Sequence, residues 1–178
     1  MADTARTANA IPDARPREIR FALTMNGGVG LAVWMGGITT EILELARGED
    51  SIYQRLLEEV DATASVDVIA GVSAGGLNGA VLAYALANGI KTIEPLKTLW
   101  VNQGSFQKLL RSPYDEDADS LLKGDEFFLP MLAQALRDLD ASPGKGEPVS
   151  HDLDLLIATS VLDGVPIGYV DSAGRLIH

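Results

Sequence analysis

Gly71-Val72-Ser73-Ala74-Gly75 reads G-x-S-x-G, a pattern suited to nucleophilic acyl transfer when it lies between a strand and a helix. An apolar run, Val66 to Val72, precedes the serine, and Ala74 to Ala87 follows with helical character before a stop at Asn88-Gly89. In a nucleophile elbow the serine occupies a strained turn. Glycines flank it because side chains there would collide with neighbouring backbone, the need that Gly71 and Gly75 fit. The following helix aims its unpaired N–H groups and partial positive charge at the oxygen that turns negative during acyl transfer. The plainer reading of the same residues is that Ser73 caps a helix and the glycines ease its packing on a sheet.

A second glycine-rich stretch, Asn26-Gly27-Gly28-Val29-Gly30, follows the apolar run Ile19 to Met25, with Gly36-Gly37 further on. Backbone N–H groups in such a loop can turn toward an anion, so Gly27, Gly28, Val29 and Gly30 are candidates for an oxyanion hole beside Ser73. The alternatives are a dinucleotide phosphate turn and a tight strand-to-helix connection. Gly28-x-Gly30-x-x-Val33 lacks the third small residue of the former, and G-x-x-x-x-G-K-[ST] is absent.

Other chemically capable residues have weaker settings. Asp163-Gly164 lies between two strand-like runs and reads as a hairpin turn before it reads as a general base. His151 precedes a strand-like run and His178 is the last residue, neither within a recognisable motif. On paper Ser73, Asp154 and His178 satisfy the chain order of an α/β-hydrolase triad. Asp115, Glu116, Asp117 and Asp119 lack the glycine and final glutamate of a calcium loop and read as a solvated surface segment. Trp34, Met35, Trp100, Phe106, Phe127 and Phe128 could contact an acyl chain, although core packing accounts for them equally well. No metal or organic cofactor is called for.

The elements that must hold these residues alternate strand and helix. Ile19 to Met25 reads as a strand buried on both faces. Ile38, Ile42 and Leu45 mark a helix stopped by Gly48, and Ser51 caps a helix that sets Ile52, Leu56 and Val60 on one face. Pro95 to Leu110 reads as helix with a weak point at Gly104, Phe127 to Leu139 as another, and Ser142 to Pro148 as a connection. Leu153 to Val161 is a strand, Ile167 to Val170 a returning strand, and Arg175 to His178 the start of another that ends without cover. The expected class is α/β, a mostly parallel sheet flanked by helices, truncated at the C-terminus.

The bulk numbers narrow the partners. The 178 residues, 47% of them hydrophobic, suffice for one domain. Fourteen Lys and Arg against 25 Asp and Glu give a net charge of −11, which argues against nucleic acid and weakens attraction to anionic bilayers. No Cys is present, in keeping with a reducing, cytoplasmic setting. Met1 to Glu18 reads as a disordered lead-in without a signal-peptide core, leaving 19–178 as the folded unit. No window approaches the roughly 18 consecutive apolar residues of a membrane span, so lipid is met from the water side, as a peripheral and transient contact with a membrane surface.

Together, the glycine loop and the run Ile69-Ala-Gly-Val-Ser-Ala-Gly-Gly-Leu-Asn-Gly79 resemble the patatin-like phospholipase family, whose N-terminal glycine-rich loop precedes a G-x-S-x-G elbow on the next strand. The resemblance runs from about Ile19 to the end, Leu155 to Tyr169 being similar to the strand and hairpin before the family's aspartate motif. It implies a three-layer α/β/α fold and a lipid acyl hydrolase in which Ser73 is the nucleophile and the Gly27 to Gly30 amides bind the oxyanion. Where the family's loop has an acid, a third glycine, a basic residue and a last glycine, this chain has Asn26, Val29, Leu31 and Ala32. The family uses a Ser-Asp dyad, and its aspartate, from an Asp-Gly-Gly or Asp-Gly-Ala motif, is expected outside this chain. The implied substrate is a lipid or other carboxylic ester. The alternatives are a pseudohydrolase or inactive fragment that binds an acyl ligand, and the α/β-hydrolase triad above.

Overall fold

In the computed structural model the described residues are 17–114, 120–142, 145–161, 163–164 and 168–177. Strand β1 (Arg17–Met25) leads through Asn26–Gly28 into helix α1 (Val29–Arg47); α2 (Ile52–Glu59) follows, then β2 (Ala62–Val72) and α3 (Ala74–Asn88). After these come α4 (Glu94–Gln103), the short α5 (Phe106–Leu109), a π-helical turn (Gly124–Phe128), α6 (Leu129–Asp140), β3 (Asp154–Ala158), β4 (Tyr169–Val170) and β5 (Leu176–Ile177).

The order β1-β2-β3 forms one sheet, parallel throughout. Parallel neighbours need crossovers, and the helices between the strands provide them. The class is therefore α/β, a parallel sheet flanked by helices, as the alternation in the sequence implies. α1 and α3 pack on each other and on β2. Ala32, Met35, Thr39 and Leu43 line the buried stripe of α1, recurring every three or four residues. α3 is apolar nearly all round and is the most enclosed helix. Leu82 and Leu86 are sealed, and at Gly79 an added Cβ would come 2.8 Å from Ile69 Cγ2, so the helix lies directly on the sheet. Burying one such leucine contributes about 1.5–3 kcal/mol. Gly89 ends α3 in the left-handed conformation, φ 69° and ψ 22°.

Several expectations are corrected. β1 starts at Arg17, whose N–H donates to Asp61 O at 2.8 Å, so Arg17 and Glu18 belong to the sheet; residues 1–16 lie outside the described residues. β1 is not buried on both faces. As an edge strand it alternates, with Phe21, Leu23 and Met25 against the core and Ala22 and Thr24 exposed. The face of α2 carrying Ile52, Leu56 and Val60 is exposed, while Leu57 is buried. Tyr53 donates to Glu41 Oε2 at 2.6 Å, linking α2 to α1, while α2 packs mainly against β2. β3 is five residues long and ends at Ala158. β4 does not return along it but pairs antiparallel with β5 around a turn at 171–174. Asp171 holds that turn by accepting from the N–H groups of Ala173 and Arg175. Residues 165–167 of the expected returning strand, the acidic positions 115–117 and 119, and His178 lie outside the described residues.

β2 carries a bulge. Phe21 pairs with Val66 and Ala22 with Val68, which leaves Asp67 unpaired in the ladder and shifts the buried positions from Val66 to Ile69. Asp67 accepts a hydrogen bond from Arg20 Nε at 2.6 Å, and His151 Nε2 lies 3.1 Å from Val66 O and 3.7 Å from Asp67 Oδ1. The Arg20 guanidinium is the main reason the Asp67 carboxyl sits below its ordinary range.

Candidate active site

The sheet register brings three loops to one edge. Met25 pairs with Gly71, Gly71 with Ile157 and Val72 with Ala158, so Asn26–Gly28, Ser73 and Thr159–Ser160 all leave the carboxyl ends of their strands side by side. Ligands of open α/β sheets bind at this edge. Ser73 connects β2 to α3 with φ 55° and ψ −126°, a backbone state an L-residue rarely holds and one that costs about 1–3 kcal/mol. Its hydroxyl makes no capping bond to α3, so the cap-only reading lacks the hydrogen bond that would define it.

Close packing sets the turn. A Cβ on Gly71 would come 2.6 Å from Gly75 O, and one on Gly75 would overlap Met25 O and Asn26 O. The start of α3 thus rests on the end of β1. The first glycine of the loop reaches the serine: a Cβ on Gly27 would lie 2.8 Å from Ser73 Cβ and 3.5 Å from Ser73 Oγ. Gly28, at φ 133°, redirects the chain into α1.

The expected oxyanion loop is shorter than the sequence implied. α1 begins at Val29, so Val29 and Gly30 form its first turn, and Gly36 and Gly37 lie inside the helix. The turn closes through Leu31 N–H to Gly28 O at 3.0 Å, and helix geometry leaves the preceding amides without intrahelical partners. Two helix N-termini, those of α1 and α3, therefore flank Ser73, and neither has an acidic residue in its first turn. Their partial positive charges suit a developing oxyanion.

Ser73 opens into a cavity of about 700 Å³, walled mainly by apolar side chains such as Leu77, Leu109, Ile157 and Phe128. Trp100 and Phe128 meet there with ring centroids 5.8 Å apart. Of the other expected acyl contacts, Met35 is in the core, Phe127 is half-buried away from the cavity lining, and Trp34 and Phe106 are exposed. Beneath the elbow, the buried Asn78 donates to Ala74 O at 2.9 Å and Ala32 O at 3.3 Å and accepts from Trp100 Nε1 at 3.1 Å, joining α1, α3 and α4. Gly36 leaves room for this arrangement, a Cβ there lying 3.2 Å from Trp100 Cδ1.

No Asp, Glu or His lines the cavity among the described residues. Asp154 pairs with Val68, four residues back from the level of Val72, about 13 Å along the strand, which removes it from the paper triad. His151 touches Val66, in the middle of β2 and six residues before the end that leads to Ser73. Asp163 is exposed in a turn closed by Gly164 N–H to Val161 O at 3.1 Å. Sequence reasoning missed Lys123, Thr159 and Ser160, which line the cavity, and the structural role of Asn78. Asn78 had a signal, an amide inside an otherwise apolar helix; Lys123 had none.

Among curated proteins, an uncharacterized membrane protein of Mycobacterium tuberculosis, Rv3479, is 33% identical over 192 residues, an alignment covering 93% of this chain and 18% of that protein. The chain thus spans less than a fifth of the length of the relative it matches. No protein-family model matches the chain, and no solved structure matches it. Among the described residues no helix is long and apolar enough to cross a membrane.

Proposed function

We propose that the chain carries the nucleophile of a patatin-like serine acyl hydrolase acting on lipid or other carboxylic esters. The observation that carries this reading is the strained Ser73 at the mouth of an apolar cavity, with Gly27 packed against it. Ser73 Oγ attacks the ester carbonyl carbon as its proton passes to a base. Amides at the starts of α1 and α3 stabilise the tetrahedral oxyanion, the C–O bond to the alcohol breaks as the alcohol takes up that proton, and water then releases the acid from the acyl-serine. The base in this reading is an aspartate outside the described residues, and a positioned proton acceptor is worth about 10²–10⁴ in rate. The relative's printed name as a membrane protein supports a site of action at a lipid surface, which the exposed Leu122 suits by its place in the cavity wall.

A fluorophosphonate ester tests the assignment, because it reacts with activated serines. Covalent labelling that maps to Ser73 and disappears in Ser73→Ala supports it. A folded protein that takes no label transfers the site to a second reading, an acyl-binding module without catalysis, which the lack of any Asp, Glu or His among the described lining residues favours.

A further inference from the structure

Ser73 shares its cavity with a single ionisable side chain among the described residues, that of Lys123. The backbone of Lys123 is pinned on both sides: its N–H donates to Leu109 O at 2.8 Å, its carbonyl accepts from Phe128 N–H at 3.1 Å, and Leu122 bridges to Leu110. The ammonium is therefore carried by a fixed segment. Lys123 is half-buried and forms no ion pair with a described residue, while the neighbouring carboxylate of Glu126 is engaged by Arg111 at 2.6 Å. An unpaired cation beside apolar walls attracts an anionic ligand group more strongly than one surrounded by bulk water. The chain as a whole, at net charge −11, repels anions, so any preference for them has to arise locally.

We propose that Lys123 is a specificity-determining residue, selecting esters that carry a fixed anionic group, phosphate or carboxylate, over neutral or zwitterionic esters of the same chain length. The proposal rests on the reading of Ser73 as nucleophile. The cavity volume, about 700 Å³, lies within the range of roughly 300–1,000 Å³ usual for small-ligand sites.

The test separates the two ideas. Trp100 lines the cavity, so its fluorescence, in a Trp34→Phe background, reports binding without catalysis. Decyl phosphate, decanoate, decanol and decylphosphocholine are titrated below their micelle concentrations, the first two arms distinguishing phosphate from carboxylate. At least one anionic amphiphile is expected to bind about tenfold more tightly than the alcohol and the phosphocholine, as a charged hydrogen bond would give. Lys123→Gln should erase the difference and Lys123→Arg should keep it. Affinities within twofold for all four, or a preference that survives Lys123→Gln, overturns the proposal. Fluorophosphonate labelling of Ser73 is measured in parallel. Labelling without anion preference defeats the Lys123 assignment alone, and a Lys123-dependent preference without labelling defeats the nucleophile while upholding anion selection.

Discussion

Trp100 donates its indole N–H to Asn78 Oδ1 across 3.1 Å, with both residues buried. Through this bond the cavity wall is joined to the helix that carries the candidate nucleophile, and the amide of Asn78 ties α1 in as well. Replacing Asn78 by Ala leaves an indole donor and two carbonyls without this partner, each such loss costing about 1–3 kcal/mol. Asn78→Ala is expected to lower unfolding stability by about 3 kcal/mol or more, read from the urea midpoint. A loss under about 1 kcal/mol would mean that water or a shifted side chain restores the bonds.

The contact of Gly27 with Ser73 makes a sharper forecast. At Gly27→Ala the new methyl would lie 2.8 Å from Ser73 Cβ, so either the loop or the serine must move. Removing one oxyanion donor typically costs about 10²–10³ in rate. Fluorophosphonate labelling of Gly27→Ala is therefore expected to slow about 100-fold, with the melting temperature changing little. Labelling at the parent rate would show that the loop takes no part.

The strand–elbow–helix unit was legible because its signals are local: an apolar run, G-x-S-x-G, and an apolar helix with a glycine stop. The helix start at Val29 was not, because Gly30, Gly36 and Gly37 are poor helix formers on their own, and only Gly36 shows a close packing partner, beneath Trp100. Likewise the exposure of Ile52 and Leu56 reflects which side of α2 packs on β2 and α1, a tertiary choice the pattern of apolar residues does not encode. Lys123 enters the cavity through the pairing of Leu110 with Leu122 across a loop, and nothing in its immediate neighbours announces that.

Strain at Ser73 predicts a split between stability and chemistry. Glycine reaches φ 55°, ψ −126° at low cost, whereas alanine keeps the Cβ that makes it costly. Ser73→Gly is expected to raise unfolding stability by about 1 kcal/mol while abolishing labelling, and Ser73→Ala to abolish labelling with no such gain. Equal stability changes in the two variants would mean that the turn is relaxed.

The bulge at Asp67 gives a pH dependence with a defined sign. Arg20 approaches from β1 at 2.6 Å, assisted by His151 at 3.7 Å and opposed by the burial of the carboxyl group itself. The hydrogen bond and charge of Arg20 hold the Asp67 carboxyl below its ordinary range in the folded state. As pH falls through about 4, the unfolded chain takes up this proton before the folded one does. The stabilisation is thus complete above that range and is lost as pH drops through the lower folded-state value. Asp67→Asn should be less stable than the parent at pH 7 and pH 5, with the gap closing toward pH 3 and below, measured by urea midpoints at each pH. A gap of constant size from pH 7 to pH 3 would mean that packing at the bulge, and not the charge pair, accounts for the difference.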